Sequence, residues 1–433
     1  MEPNKKINPD NLSRKKTIRY HMVCFILIYV LFALNRIKAF LSPRINGFST
    51  TNEIWLILLI HIGIFLLNRK FKVEKNSVFL SIYAFIYLII IMFGGFRSQD
   101  LTQLFYSATL FLVPMLLFYS TSRLTHFEIE KLIKIIVIIN AIYSVFAIIL
   151  TTNYAFFMNI LGNSTENLVY YSQFRASMML GSSITVSFYF NISLPLIFCY
   201  YHSSNSSFWR RVSILTIILN VMATLLLLSR LASIVAIIIV GYYILMDNKS
   251  VITLRKNIAV FIGFLIGSTY IINKYDISRV FMGFDKSGSS VSARIEALSL
   301  GTYIFSKYPF IGSGMGRYFT RVYENRFITV DDITGLVDPH NAFVLILSEI
   351  GILGLFITIF LFYSLFKRFL MIKNVQIRKA SFMTLLVVLI NSFGGSQVVN
   401  EISFSTIFWL YSGIFYFFSN NITSKLVIGC SYE

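Results

Sequence analysis

His340 is the residue whose type and position most directly suggest chemistry. It follows Pro339, precedes Asn341 and opens an apolar run that the sequence predicts to be a helix. At a helix N-terminus the dipole and the free N–H groups disfavour a charged imidazole, so we expect a neutral His340 that can accept a proton. This property suits a general base. A histidine that merely caps the helix is an equally good interpretation of the local sequence.

Four arginines could hold a phosphate-bearing group: Arg175, Arg230, Arg294 and Arg317. The planar guanidinium presents two parallel N–H donors to phosphate oxygens. Arg230 lies between two apolar runs that leave almost no loop between them, where a side chain that extends to the membrane surface is the alternative. Arg317 begins a spaced basic run, for which solvated charge is the alternative.

Glu349 lies nine residues after His340, about half a turn away on a straight helix and about 13 Å further along it. The two side chains therefore cannot share one catalytic face. A carboxylate inside a membrane is costly and is usually paired, so we expect a structural Glu349 in a buried ion pair with an arginine. Gly351 and Gly354 are predicted to allow close helix packing.

Two other motifs are weak signals. The glycine-rich segment 312–316 superficially resembles a phosphate-cradling loop, but no strand precedes it. We therefore expect a flexible turn after Pro309. Asp331, Asp332 and Asp338 lack a recognisable metal-ligand spacing, so neither a metal nor another cofactor is predicted.

The composition indicates a polytopic membrane protein. Of the 433 residues, 56% are hydrophobic and only 13% are charged, well below the roughly 25% charged residues of soluble domains. Most of the basic residues behind the net charge of +19 flank apolar runs, which indicates membrane topology and not nucleic-acid binding. The three cysteines have neither a disulfide nor a metal-binding pattern.

Apolar runs near the roughly 20 residues that cross a bilayer predict an all-α protein with about twelve transmembrane helices. The predicted helices are 20–38, 54–67, 77–95, 101–120, 131–151, 180–201, 211–228, 231–247, 257–274, 340–366, 379–393 and 402–419. We treat residues 1–433 as one integral membrane domain, in which residues 275–339 form a large loop between helices nine and ten. This loop should contain a short amphipathic helix over Val291–Ser306. The buried asparagines, among them Asn140, Asn191, Asn220 and Asn391, should bridge helices.

The distribution of charge predicts the orientation of these helices. Alternating sides receive 24 and 14 of the 38 Lys and Arg residues, and 8 of the 14 lie in the long loop when Lys274 at its edge is included, and the positive-inside rule leaves such long loops out. Both termini are therefore predicted to be cytoplasmic and the long loop extracytoplasmic. Because nucleotide-activated donors are absent on that side, a synthetic reaction there needs a donor that the membrane carries, such as a lipid diphosphate.

The candidate residues also occur in a familiar order. Ser229-Arg230 comes first, followed by Ser292-Ala-Arg294-Ile-Glu-Ala-Leu and the segment from Tyr308-Pro309 to Gly316. His340-Asn341 and Glu349-Ile-Gly351-Ile-Leu-Gly354 complete the set. This order resembles the O-antigen ligase and O-antigen polymerase family, over roughly Arg175 to Phe418. The chain lacks the aromatic residue that the family often has shortly after the arginine of the loop.

The resemblance implies a GT-C-like fold and glycosyl transfer outside the cytoplasmic membrane. It implies that His340 activates the acceptor hydroxyl and that Arg230 and Arg294, with Arg175, hold the diphosphate, while Asn341 and Arg317 are further substrate-binding candidates. The expected enzyme is a metal-independent glycosyltransferase, and its expected partners are an undecaprenyl-diphosphate-linked oligosaccharide, membrane lipids and a chain-length regulator protein. Nucleic acid is not an expected partner.

Three functions fit this sequence. The first is a polymerase that joins lipid-linked repeat units into O-antigen or capsule at the outer face of the bacterial inner membrane. The second is an O-antigen ligase that transfers the glycan to lipid A core. The third, from a different class, is a polysaccharide flippase or transporter, although transporters commonly show two related halves and this chain shows no convincing internal repeat.

Overall fold

A computed structural model of the chain describes residues 115, 117–152, 183–227, 229–246, 289–324, 339–396 and 402–420, with the single residues 86, 89 and 263. Within these ranges every regular element is an α-helix. The helices are α1 His126–Thr152, α2 Ser183–Ser203, α3 Ser207–Leu226, α4 Arg230–Met246, α5 Ser289–Lys307, α6 Tyr318–Glu324, α7 Ala342–Leu370, α8 Val375–Gly394 and α9 Ile402–Asn420.

Seven of these helices, α1 to α4 and α7 to α9, coincide with predicted apolar runs. By length and apolar composition, α1, α2, α3, α7 and α8 could each cross a membrane, and α4 is a shorter apolar helix. The helix predicted in the long loop is also confirmed, as α5. The predicted helices 20–38, 54–67, 77–95 and 257–274, with most of 101–120, lie outside the described residues. The total of twelve spans therefore stays a prediction.

Helix α2 lies at the centre of the bundle and packs against α1, α3, α4, α8 and α9. Its side chains are buried on almost every face, which is the position expected of a helix that is apolar all round. Two of its polar side chains bond to neighbouring helices: the Asn191 Nδ2 donates to the Ala232 carbonyl of α4 at 2.7 Å, and Ser193 shares a 2.8 Å hydrogen bond with Tyr411 of α9.

Helices α1 and α3 are joined by a buried polar cluster. The hydroxyl of Ser144 and the side chain of Asn140 both hydrogen-bond to the side chain of Asn220. The predicted bridging role is thus confirmed for Asn140, Asn191 and Asn220. It is wrong for Asn391 of α8, whose two amide atoms are buried with no hydrogen-bond partner in the described structure.

The helix directions define two ends of the bundle. At one end, which we call the His340 end, α3 ends at Leu226, α4 begins at Arg230, α7 begins after His340 and α8 ends at Gly394. The opposite end, which we call the basic end, carries most of the basic residues that the structure describes: Arg123, Lys131, Lys134, Arg210, Arg211, Lys367, Arg368, Lys373, Arg378 and Lys379. The described basic residues are therefore concentrated at one end of the bundle.

Helix α7 differs from the predicted straight helix over 340–366. It begins at Ala342, so His340 lies before its first turn, and the backbone leaves helical geometry at Gly351 with φ 74° and ψ −170°. The break lies beyond Glu349, so it does not change the helix between Ala342 and Glu349, and the predicted separation of His340 from Glu349 stays a prediction. The part after the break, Ile352–Leu370, is about 28 Å long, close to the thickness of a bilayer's hydrocarbon core.

Candidate functional site

His340 stands immediately before α7 in a backbone conformation that side chains other than glycine rarely adopt. Its φ is 47°, in the left-handed region, and the residue is half-buried between buried Pro339 and the start of the helix. Such a conformation costs energy and persists when its surroundings impose it. The surroundings of α7's first turn therefore fix the direction in which the imidazole leaves the backbone.

Asn341 caps α7. Its Oδ1 accepts hydrogen bonds from the backbone N–H groups of Phe343 at 3.0 Å and Val344 at 3.1 Å, which satisfies two otherwise unpaired donors of the first turn. Its Nδ2 donates to the Phe393 carbonyl at 3.4 Å. The structure thus gives Asn341 a capping role, while the predicted contact of Asn341 with substrate stays a prediction.

The start of α7 is fixed to the end of α8. Besides the Asn341 bond, the Ala342 N–H donates to the Gly395 carbonyl at 3.1 Å, and the rings of Phe343 and Phe393 pack with their centroids 4.9 Å apart. These contacts place His340 beside residues 393–395. The sequence analysis missed this segment, although its signal was available in Phe393-Gly-Gly395 at the end of an apolar run.

The start of α4, which carries Arg230, packs against the same segment. Arg230 is the first residue of α4 and is exposed, and Leu231 lies so close to Gly394 that a side chain there would collide with it. Residues 393–395 therefore lie between the start of α4 and the start of α7. The starts of α4 and α7, where Arg230 and His340 lie, therefore pack against one short segment although the two residues are 110 positions apart in sequence.

Residues 289–324, which we call the cap, pack against the first part of α7. Gly301 of α5 lies against Val344, and the Tyr318 hydroxyl of α6 donates to the Ala297 carbonyl of α5 at 2.8 Å. Arg294 is exposed on α5, and Arg317 is half-buried directly before α6. Both predicted arginines thus lie on the cap, on the His340 side of the molecule.

The break in α7 leaves two backbone donors without helical partners, and the cap satisfies both. In an unbroken helix the N–H groups of Ile352 and Leu353 would bond to carbonyls four residues earlier. Instead, Ile352 donates to the Pro309 carbonyl at 2.8 Å and Leu353 to the Phe310 carbonyl at 3.3 Å. The bonds that Gly351 interrupts are therefore replaced by bonds to another segment.

The two carbonyls freed by the same break are also satisfied by the cap. The Ser348 carbonyl accepts from both the N–H and the hydroxyl of Ser313 at 2.9 Å, and the Glu349 carbonyl accepts from the Gly314 N–H at 3.0 Å. We call residues 309–314 together with 348–353 the latch. The expected flexible turn after Pro309 is therefore wrong, because this turn is buried in part and hydrogen-bonded to α7.

Two glycines make the latch possible. A Cβ atom on Gly312 would collide with the backbone of Glu349 and Ile350, and one on Gly351 would collide with the backbone of Phe310. Both have positive φ, 75° and 74°. Gly351 therefore allows a close backbone approach, as expected of small residues, but its neighbour is a loop and not a second membrane helix. A Cβ on Gly354 would instead meet the side chain of Ile350.

Glu349 connects α7 to the cap through its side chain. Only 6% of it is exposed, and its Oε1 accepts a 3.0 Å hydrogen bond from the N–H of Tyr318, the first residue of α6. The expected structural role fits this contact. An ion pair of Glu349 with an arginine stays a prediction.

Some predicted residues cannot be placed. Arg175, Asp331, Asp332 and Asp338 lie outside the described residues. In the part of the chain that the structure describes, no three His, Cys, Asp or Glu side chains form a group that could hold a metal ion. Among the described candidates, His340 and Arg230 lie where α7 and α4 begin, beside residues 393–395, and Arg294 and Arg317 lie on the cap.

Residues 215–359 match the family model described as O-antigen ligase. The match covers about a third of the chain and runs from α3 through the cap to the middle of α7. It includes Arg230, Arg294 and His340, so the family resemblance inferred from their order is confirmed for this segment. Members of this family are glycosyltransferase-like enzymes. No curated protein matches the chain.

Proposed function

We propose that the protein is a polysaccharide polymerase that joins undecaprenyl-diphosphate-linked repeat units by glycosyl transfer. The observation that carries this proposal is that the starts of α4 and α7, where Arg230 and His340 lie, both pack against residues 393–395. A candidate base and a candidate phosphate-binding cation from distant parts of the chain stand at one end of the bundle. The match of residues 215–359 to the O-antigen ligase family supports the reaction class.

In the proposed reaction, a sugar hydroxyl of the acceptor attacks the anomeric carbon of the donor. His340 takes the hydroxyl proton, the bond between the anomeric carbon and the diphosphate oxygen breaks, and the electron pair leaves with undecaprenyl diphosphate. Attack opposite the leaving group inverts the anomeric configuration. Negative charge grows on the departing oxygen, and fixed guanidinium groups stabilise it best where water is scarce. Arg230, Arg294 and Arg175 are assigned this role, with Arg317 as an additional contact.

We also propose the orientation of the site. The ten described basic residues at the basic end favour a cytoplasmic location for that end. The His340 end and its cap would then face the outside of the bacterial inner membrane, where a lipid-linked donor can reach them from the bilayer. In this orientation both chain termini lie in the cytoplasm.

The test is reconstitution of the purified protein in lipid vesicles with a defined lipid-linked repeat unit. A ladder of products longer by whole repeats supports the polymerase. Transfer of the glycan to lipid A core, without a ladder, would establish the ligase instead. Movement of labelled lipid across the vesicle membrane without any new glycosidic bond would replace both by a transporter.

His340→Ala should reduce the rate of chain elongation about 10²-fold or more, because the acceptor hydroxyl loses its base. His202→Ala is a matched control, because this half-buried histidine lies at the basic end beside Tyr201 and Tyr243. We expect the control to keep its activity. An unchanged product ladder with His340→Ala would remove His340 from the mechanism.

Arg230→Lys should also be poor, because lysine keeps the charge but lacks the two-pronged donor geometry. Arg210→Lys provides the control, since Arg210 stacks on Tyr201 at the basic end, 5.3 Å from the ring centroid. Equal activity of the two lysine variants would mean that Arg230 contributes charge alone or nothing.

A further inference from the structure

We propose that Ser313 and Glu349 are positioning residues, which hold the cap on α7 so that Arg294 and Arg317 stay aligned with His340. This inference rests on the proposed glycosyl transfer. Neither side chain would touch the substrate. They would act through the latch and through the hydrogen bonds that run from it into the cap.

A series of hydrogen bonds connects α7 to the segments that carry the two arginines. The carboxylate of Glu349 accepts from the Tyr318 N–H, and the Tyr318 hydroxyl donates to the Ala297 carbonyl of α5. Arg317 directly precedes Tyr318, and Arg294 lies one turn before Ala297. A displacement of Glu349 is therefore transmitted to both arginines within a few bonds.

Ser313 also joins the cap to α7. It is fully buried and donates two hydrogen bonds, from its N–H and its hydroxyl, to the Ser348 carbonyl. The break at Gly351 freed this carbonyl. Ser348 and Glu349 are adjacent, so the two contacts hold the same turn of α7, seven and eight residues beyond Asn341, which caps the helix.

Activity requires the cap to be aligned with His340 and not merely attached to α7. Displacement of a reacting or charge-stabilising group by about 1 Å can reduce the rate about 10²-fold. The cap also packs on α7 through Gly301 and Val344, so it should remain attached when a single polar contact is lost. Loss of Glu349 or Ser313 should therefore affect alignment before it affects folding.

The contact of Glu349 with Tyr318 requires an acceptor and not a charge. Glu349→Gln keeps a side-chain oxygen at the same place and should retain the rate to within about threefold, whereas Glu349→Ala should lower kcat by about 10²-fold with little change in KM. Ser313→Ala keeps the backbone bond and should lower kcat by about tenfold. Ser306→Ala is the control, because its exposed hydroxyl bonds only to Tyr303 within α5.

A second measurement reports the cap without relying on activity. Ala297 is 2% exposed between α5 and its neighbours, so a cysteine placed there by Ala297→Cys should react slowly with a maleimide. The same chain without this substitution gives the background. Adding Glu349→Ala or Ser313→Ala should raise the labelling rate severalfold, while adding Glu349→Gln or Ser306→Ala should not.

The outcomes separate this inference from the proposed function. Failure of the unmodified protein to form any glycosidic bond contradicts the proposed function, and the labelling series still reports whether the latch holds the cap. Unchanged kcat in Glu349→Ala, or equal loss in the Gln and Ala variants, would overturn the positioning role. Unchanged labelling in both alanine variants would do the same.

Discussion

Buried polar groups obtain hydrogen-bond partners in different ways at two junctions of this molecule. Between α1 and α3, the polar groups buried in the bundle are side chains, and Asn140, Ser144 and Asn220 satisfy one another while both helices stay continuous. At the latch, the polar groups are the backbone of α7 itself, and the bonds come from a loop 35 to 43 residues away in sequence. The first junction joins two helices whose backbone hydrogen bonds are already complete. The second supplies the backbone hydrogen bonds that α7 lacks at its break.

The difference separates residues that only hold the bundle from residues that also shape the site. The α1–α3 cluster lies in the middle of its helices, away from the His340 end. The latch lies between the cap and the helix that begins after His340. Substitutions at the first junction should change stability alone, and those at the second should change stability and catalysis together.

The largest effect is expected for Gly351→Ala. With φ 74° and ψ −170°, Gly351 occupies a region that is essentially restricted to glycine, and a Cβ would collide with the Phe310 carbonyl. We expect a loss of roughly 3 kcal/mol or more in the free energy of unfolding, measured by thermal unfolding in detergent. Gly263→Ala is the control, because Gly263 is exposed and none of the described residues lies within 4 Å of a Cβ there. Equal midpoints for both variants would contradict the latch.

Asn220→Leu should break the α1–α3 cluster. It leaves the side-chain Oδ1 of Asn140 without its donor, while the Ser144 hydroxyl keeps its bond to the Asn140 backbone carbonyl. An unsatisfied buried polar group costs about 1–3 kcal/mol. The free energy of unfolding should fall by that amount. Vesicle activity, normalised to folded protein, should not change, and a selective loss of activity would show that the two junctions are not separate.

Asn391→Leu should raise the free energy of unfolding, in contrast to Asn220→Leu. Asn391 is 0% exposed, and within the described structure neither of its amide atoms has a hydrogen-bond partner. Replacing such a group by an apolar side chain of similar size can be neutral or stabilising, so we expect a gain of up to about 1 kcal/mol in the free energy of unfolding. A loss as large as that of Asn220→Leu would mean that the Asn391 amide does have a partner in the membrane.

The smallest effect is expected for Glu130→Gln. Glu130 forms a 2.7 Å ion pair with Lys134 one turn away, and both side chains are partly exposed. Such pairs contribute about 0.5 kcal/mol or less. The thermal midpoint should fall by no more than a degree or two at low salt, and a larger shift would show that this pair is a structural element comparable to the asparagine cluster.

The continuous helices could be predicted from the sequence because run length and hydropathy are local properties. The run 402–419 became Ile402–Asn420, and 180–201 became Ser183–Ser203. The order of Arg230, Arg294 and His340 likewise indicated the family. The latch could not be predicted in this way. An apolar run does not reveal that Gly351 breaks its own helix, and the glycines at 312–316 do not reveal which carbonyls their N–H groups will meet.

The break in α7 also has a consequence for how the protein is made. The ribosome completes Pro309–Gly314 before it synthesises Ser348–Leu353, and in the described structure that earlier segment satisfies the broken stretch of α7. Backbone groups left unpaired in hydrocarbon cost several kcal/mol each. Insertion of α7 into the bilayer is therefore thermodynamically linked to folding of the cap, and a chain with a misfolded cap should retain an unstable membrane helix that quality-control proteases can recognise.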